Sequence, residues 1–462
     1  MADALSMKRR EFLLASAGAA ASARAAQTGS RPNILLIITD QHHASALAAC
    51  GNPHLRTPAM DHLCRSGFRF AQSYTTDPVC SPARSSIFTG RMPSETGVAS
   101  NGIAIRAGIP NIGEWLAAEA GYETVYAGKW HLPNSYTGNI PGFRVLGGGI
   151  SGQGNIGDTC VSRVCEAYLR NRAPGRPFLM VASFLQPHDI CEWLRLNLRD
   201  PGRLPLPEIA GALPPLPANF AVDPAEPAPL RRLRQQTEPA LGRWSSQHWR
   251  YYLWSYYRHV EMVDGEVQRI LDALHDTGKD HNTLVIFTAD HGEGMAEHQL
   301  VRKSNGYEAA LKVPLILCWR DRIPAGRADS VHPVSGADIV PTICDWAGVK
   351  PPPQMRGRSL RPLAEGKATG RDHFIVSEIP TNIGRAVRTQ RYKYVTYAGE
   401  RSEQLFDLAT DPGETRNLAG DSGSAGILSE HRKLLAEWER RLDIDPRVPH
   451  AEPWRNFASA GL

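Results

Sequence analysis

No apolar run in this sequence approaches the roughly 20 residues that a helix needs to cross a bilayer, so no integral membrane segment is expected. Concentrated charge of one sign is missing too. Lys and Arg number 52 against 47 Asp and Glu, and the net +5 is spread along the chain. A nucleic-acid arm or a polybasic membrane patch needs a run of like charge, so no nucleic-acid partner is expected. Cysteine is scarce: eight in 462 residues do not make a disulfide-stapled miniprotein. Internal repeats are absent. What is present is ordinary for a globular chain, with 42% hydrophobic and 21% charged residues, which excludes wholesale disorder. Glycine (41) and proline (35) are plentiful enough to expect long structured loops. At roughly 150 residues per domain the length suggests about three domains, although large α/β enzymes often run longer as one unit.

The first segment reads as an address. Lys8-Arg9-Arg10-Glu11-Phe12-Leu13-Leu14 precedes an Ala-rich apolar run, and Ala23-Arg24-Ala25-Ala26 fits a small-residue cleavage site. A charged start, a short apolar middle and such an end make a signal peptide. The paired arginines resemble a bacterial twin-arginine signal, which implies the twin-arginine export machinery as a partner and a periplasmic or secreted protein. Residues 1–26 are therefore set apart from the fold.

Residues 33–40 form a continuous apolar run ending in Asp40, the pattern of a central parallel strand buried on both faces. Thr57-Pro58 supplies an N-cap and a first-turn proline for a helix that Gly67 ends. Residues 122–127, 178–184, 284–288 and 315–319 are further strand-like runs, with helical stretches between several of them. The alternation predicts an α/β fold with a large, mostly parallel central sheet flanked by helices. Residues 249–274 carry apolar side chains at helical spacing and read as a long packed helix. Residues 200–245, rich in Pro and Arg, read as a long surface excursion. After about residue 370 the pattern changes to two short antiparallel strands, 391–397 and 403–408, and a final helix near 428–442. This predicts a catalytic domain over 27–370 and a smaller α+β subdomain with an antiparallel sheet over 371–462.

Ligands of open α/β sheets bind beyond the carboxyl ends of the strands. Asp40-Gln41 and Asp290-His291 each follow an apolar run. Carboxylate and amide oxygens suit Ca²⁺ or Mg²⁺, and a histidine admits Mn²⁺ or Zn²⁺. Taken alone, a strand-terminal Asp more often caps the next helix. Cys80-Ser81-Pro82-Ala83-Arg84 follows turn-forming Asp77-Pro78 and opens a helix, so the cysteine faces the anion-favouring N-terminus. The plain reading of one cysteine is a small buried hydrophobe.

The C-x-P-x-R run followed by Thr89-Gly90-Arg91 resembles the signature of the sulfatase family. Gly128-Lys129-Trp130-His131-Leu132, Gln186-Pro187-His188 and Thr288-Ala289-Asp290-His291-Gly292-Glu293 are similar to later family motifs. So are Lys303, Tyr307-Glu308 and Val313-Pro314. Asp338 to Ile343, Gly357-Arg358-Ser359-Leu360, Leu405 to Leu408 and Asp411 to Leu418 continue the match, in family order, from about residue 31 to residue 418.

The resemblance implies the alkaline-phosphatase-like fold and a sulfuric ester hydrolase. It implies that a formylglycine-generating enzyme oxidises Cys80 to formylglycine, whose hydrate attacks sulfur. The metal set implied is Asp40, Gln41, residue 80, Asp290 and His291, holding Ca²⁺ or, alternatively, Mg²⁺ or Mn²⁺. A sulfate ester needs positive charge around its oxygens, a strong nucleophile and help for the leaving alcohol. By resemblance the alcohol leaves a covalent sulfate on residue 80, and His131 takes the proton of the second hydroxyl as sulfate is expelled. His188 and Lys303 touch the sulfate and one of them protonates the leaving oxygen, while Lys129 and Arg84 support residue 80. Each of these side chains has a duller alternative as a core histidine or a surface charge. Glu293, Glu297, His298, His42 and His43 are assigned no role.

Many family members carry two aspartates after the first strand and Asp-Asn after the later one. Here Gln41 and His291 stand instead, as in branches that include choline sulfatases and phosphonate monoester hydrolases. With Gln41 the site is one formal charge more positive than with aspartate there. That predicts side activity on phosphate or phosphonate esters, suppressed by Gln41→Asp more than sulfatase turnover is. The segment from Asp290 to Pro314 looks closest to polysaccharide and glycosaminoglycan sulfatases, so a sulfated carbohydrate is the expected substrate. Two rivals stay open: a phosphonate or phosphate ester hydrolase, and a catalytically silent carbohydrate-binding relative. Cys160 and Cys165, five apart on a helix, are not expected to pair, and Cys50, Cys64, Cys191, Cys318 and Cys344 are expected to be small buried residues.

Overall fold

The computed structural model describes residues 31–147, 154–197, 207–235, 241–367, 370–380 and 383–448. The leader read from residues 1–26 lies outside the described residues. Strand β1 (Asn33–Asp40) lies at the centre of an eight-stranded sheet. Its other members are β2 (Phe68–Phe70), β4 (Glu123–Gly128), β5 (Arg144–Val145), β6 (Phe178–Pro187), β7 (Thr283–Ala289), β8 (Leu315–Cys318) and β9 (Arg327–Asp329). The order is β5-β4-β6-β1-β7-β8-β2-β9, parallel except where β8 pairs with β7 and β2. A two-stranded pair joins β3 (Ser73–Tyr74) to β10 (Val334–Ser335).

Strand β1 alternates between two cores because successive side chains point to opposite faces. Ile34, Leu36 and Ile38 pack with the helix Ile339–Ala347, among others. Leu35 and Ile37 pack with the helices Gly154–Asn171 and Ser246–Asp276 on the other face. All five are fully buried, each contributing on the order of 2 kcal/mol. Helices on both faces explain why the strand reads as an unbroken apolar run.

The C-terminal part holds a four-stranded antiparallel sheet, β11 (Phe374–Ile379), β12 (Gly384–Thr389), β13 (Tyr392–Tyr397) and β14 (Gln404–Asp407), paired in that order. The sequence pattern predicts only β13 and β14 of these four. One face, with Phe374, Val376, Val387, Tyr394 and Leu405, is covered by the helix Ala425–Glu439. The other face, with Ile379, Val395 and Phe406, shares a core with Tyr74, Tyr307 and Leu311. The small sheet is thus joined to the large part by an apolar seam, directly below the loop that carries Lys303.

Three local expectations are corrected. Thr57 makes no side-chain cap; its hydroxyl instead donates to Asp61 and accepts from the backbone N–H of Ala48. Cys50 is exposed, not buried, and Cys64, Cys160, Cys191 and Cys318 are half-buried. The excursion over 200–245 is more than surface: Leu241 and Trp244 are buried against the long helix with Trp249 and Tyr252. The polar composition of that stretch hides these few anchors.

Candidate active site

Four neighbouring strands deliver the site residues by register. Thr39 pairs with Ala289, so Asp40 and Asp290 leave the sheet side by side. Asp40 pairs with Pro187, which puts His188 next to them. Gly128 pairs with Ser183, and Lys129 and His131 follow. Gly128 has φ +97°, and a Cβ there would sit 1.9 Å from the Ser183 carbonyl oxygen, so this turn admits only glycine. Cys80 opens the helix Cys80–Thr89, which packs across these strand ends.

The loop of residues 295–304 brings in Lys303. Six non-glycine residues in it have positive φ, as do Gln41 and His131. Eight of the eleven such residues among those described therefore lie in site segments, where surrounding packing must hold a costly backbone.

Arg84 cross-braces the two carboxylates. Its Nη2 donates to Asp40 Oδ2 at 3.1 Å and its Nε to Asp290 Oδ2 at 2.9 Å. Its Nη1 reaches the Lys129 carbonyl and the Ser183 hydroxyl, both at 2.8 Å. Lys129 Nζ donates to Asp40 Oδ2 at 2.6 Å. Cys80 Sγ lies 3.7 Å from Asp40 Oδ1, 3.2 Å from His291 Nε2 and 3.4 Å from Lys303 Nζ. Lys303 Nζ also donates to Gln41 Oε1. Ser81 Oγ ties the helix start to the His131 carbonyl at 2.5 Å. The Nδ1 of His131 is buried without a hydrogen-bond partner.

Burial and the charge of Asp40 push the Cys80 thiol up, but Lys129, Lys303 and His291 outweigh them and hold it well below the ordinary thiol value. Burial likewise opposes ionisation of Asp40, yet Lys129, His188, Arg84 and Lys303 keep it well below the usual carboxylate range. Asp290 is pushed up to about 6 by burial and by the charge of Asp40, against His291 and Arg84. His188 is driven down to about 3 by burial and by Lys303 and Lys129, so it is neutral near pH 7.

Ligand atoms of Asp40, Cys80, Asp290 and His291 all lie within 4.8 Å of one another, and all four residues are buried. His291 Nδ1 donates to the Gly292 carbonyl at 2.9 Å, which leaves the lone pair of Nε2 for the cluster. The donor set is hard oxygen plus one imidazole, and two repelling carboxylates would be relieved by a divalent cation between them. These residues fit such an ion.

The structure brings Asp40, Gln41, Cys80, Arg84, Lys129, Asp290, His291 and Lys303 together through these contacts; His188 is near enough for its charge to act on Asp40, and His131 is tied to the helix start through its backbone carbonyl. Glu293, assigned no role from the sequence, and Tyr252, not singled out there, also belong to the site. Glu293 accepts from Gln41 Nε2, from the Tyr252 hydroxyl and from the backbone N–H of Arg302. Tyr256 donates to the Gln41 carbonyl at 2.8 Å. Glu293 had a signal, an acid inside the Asp-His-Gly-Glu run; Tyr252 and Tyr256 had only helical spacing, which also describes packing. His42 bonds Thr39 and the Ala46 carbonyl, a local structural role.

A fold of this kind with such a site defines a class, and comparison with known proteins agrees. The sulfatase family model matches residues 32–349, and a model described as N-sulphoglucosamine sulphohydrolase, C-terminal, matches residues 296–441. The chain belongs to the sulfatase family, of the alkaline-phosphatase-like superfamily, and is an enzyme of the sulfatase class. It is 33% identical to a Delta 4,5-hexuronate-2-O-sulfatase of Bacteroides thetaiotaomicron, over 94% of this chain and 96% of that protein. It is 27% identical to a choline-sulfatase of Rhizobium meliloti, over 92% and 91%. The structure of a 2-O GAG sulfatase superposes with TM-score 0.81 at 29% identity, over 92% of this chain and 99% of that one. A phosphonate monoester hydrolase of Agrobacterium radiobacter superposes with TM-score 0.71 at 25% identity, over 89% and 96%.

Proposed function

We propose that this protein removes sulfate from a sulfated carbohydrate of the glycosaminoglycan type, with formylglycine at position 80 and a bound Ca²⁺. One observation carries the reading: residue 80 stands among Asp40, His291 and Lys303, at the one point where all these charges converge. When bound, a divalent cation held by Asp40, Gln41, Asp290 and His291 would supply Lewis-acid charge for a sulfate oxygen and for the oxygen on residue 80.

The chain's own side chains do the rest. Arg84 fixes both carboxylates before substrate arrives, and Lys129 neutralises Asp40. Lys303 sets an ammonium beside residue 80, where charge grows on the transferring group. Neutral His188 binds the ester as a hydrogen-bond partner without adding charge. By the family resemblance His131, whose backbone carbonyl is tied to Ser81 beside residue 80, would receive the proton released when sulfate departs. The relative named as a hexuronate-2-O-sulfatase makes a 2-O-sulfated unsaturated uronate the first substrate to try.

Maturation by a formylglycine-generating enzyme and export by the twin-arginine route to the periplasm or beyond belong to the same proposal, motivated by Cys80-Ser81-Pro82-Ala83-Arg84 and by Arg9-Arg10. Mass spectrometry of the peptide containing residue 80, with turnover of sulfated disaccharides by the same preparation, tests the chemistry. An active enzyme carrying only thiol at 80 would overturn it. Loss of export in an Arg9→Lys/Arg10→Lys variant tests the route.

A second reading has one observation in its favour. Gln41 and His291 replace acidic or neutral ligands and leave the site more positive, as a doubly charged phosphoryl group prefers. Matched rates on nitrophenyl sulfate and nitrophenyl phosphonate esters separate the two. The silent-relative reading conflicts with the complete set of Cys80, Lys129, His131, His188 and Lys303.

A further inference from the structure

Gln41 is a side chain with two ends, and which end faces the cluster decides its chemistry. An amide oxygen can ligate a cation; an amide NH₂ cannot. Nothing in the amide itself selects between the two orientations, which differ by a flip. Its surroundings do. The Nε2 end donates to Glu293 Oε2, and the Oε1 end accepts from Lys303 Nζ. A flip would set NH₂ against an ammonium and C=O against a carboxylate. The Cys191 thiol, 3.3 Å from Nε2 and 3.6 Å from Oε1, is indifferent to the choice.

Glu293 is itself fixed. It is fully buried, and its Oε1 accepts from both the Tyr252 hydroxyl and the Arg302 backbone N–H. Tyr252 comes from the long helix Ser246–Asp276, and four residues on, on the same face, Tyr256 holds the Gln41 carbonyl. One helix therefore clamps both the backbone and, through Glu293, the side chain of residue 41. Its backbone is itself held at φ +65°.

We propose that Glu293 is a positioning residue that aims the Gln41 oxygen into the cation site, and that its negative charge is what requires an amide, not a carboxylate, at position 41. The inference rests on the metal-dependent reading given above. A carboxylate at 41 would meet Glu293 in a buried pocket with no donor between them, a like-charge contact that burial makes costly. The Glu293 carboxylate thereby keeps the ligand at 41 neutral and moves one negative charge a residue back from the cation site. It contributes to specificity without touching substrate, through the residue it permits at its neighbour.

The test is calcium binding by the full-length mature protein, measured by calorimetry on chelator-treated samples. Glu293→Gln, which keeps size, should weaken calcium affinity about tenfold or more, as loss of a ligand-orienting partner does. Tyr252→Phe, which leaves Glu293 Oε1 held by the Arg302 backbone N–H and the Gln41–Glu293 contact intact, should change it by less than about threefold. Gln41→Glu should also weaken binding, and the exchange Gln41→Glu/Glu293→Gln should recover most of the affinity, because one donor again lies between the two groups. Thermal unfolding of each variant guards against plain misfolding. A Glu293→Gln protein that binds calcium like the unaltered chain would overturn the inference and leave the functional reading standing. So would an exchange variant no better than either single one. If the unaltered chain binds no divalent cation, both fall.

Discussion

Two nests of buried charge lie on either side of residue 305, and they are built to opposite ends. At the carboxyl edge of the large sheet, Arg84, Lys129 and Lys303 face Asp40 and Asp290. At the seam below, Lys393 and Arg388 face Glu308 and Glu414. In the seam each of these four charges is paired. Tyr74 bridges Glu308 and Arg388, and the backbone N–H of Glu308 donates to Glu414 at 2.6 Å. The nest at residue 80 gathers three cations around two carboxylates and a thiol held well below its ordinary value. Burial of charge is common to both, so burial alone does not mark function. Unfinished coordination around one point does.

The largest test of this contrast is removal of residue 80. Cys80→Ala should lower kcat by on the order of 10⁵ while urea unfolding stays nearly unchanged. A retained rate would break the contrast. The seam should answer the other way. Lys393→Met leaves two carboxylates without their ammonium and should cost roughly 3 kcal/mol of stability, with kcat per folded molecule preserved.

A further buried carboxylate sharpens the comparison, because it has no cation partner among the described residues. Asp158 accepts from the backbone N–H groups of Leu185 and Gln186, at 2.7 and 2.8 Å. Burial pushes it up to about 7 from an ordinary 3.8. The folded state then holds a proton that the unfolded chain has released, so stability falls as pH rises from about 4 to about 7. The loss should be on the order of 3 kcal/mol, and Asp158→Asn should flatten that slope in denaturant titrations across the window. The smallest effect expected is at the boundary of the two nests. A Cβ at Gly306 would meet Val395 Cγ1 at 2.9 Å and Ile379 Cδ1 at 3.0 Å. Gly306→Ala should cost about 1 kcal/mol and lower kcat severalfold through the displaced Lys303 loop, as steady-state kinetics would register.

The strands and motifs of the catalytic nest were legible in the sequence because each rests on local pattern. A run of five fully buried aliphatics ending in Asp40 is visible without coordinates, and so is Cys80 ahead of a proline and an arginine. The seam was not legible. Glu308, Lys393 and Glu414 lie up to 106 residues apart and meet only through tertiary packing. Strand β12, Gly384-Arg385-Ala386-Val387-Arg388-Thr389, alternates small apolar and basic residues and resembles a surface strand, yet every one is buried. Glu293 was seen and set aside, since its meaning depends on which end of Gln41 it holds.

The brace that Arg84 makes between Asp40 and Asp290 has a last consequence. Most metal cages hold together only once the ion is in place, so assembly and loading are one event. Here a permanent guanidinium already spans the two acids, and the strand ends are locked before any ion is met. On the metal-dependent reading proposed above, such a molecule can finish its architecture first and be loaded with its cation afterwards, wherever it happens to encounter it.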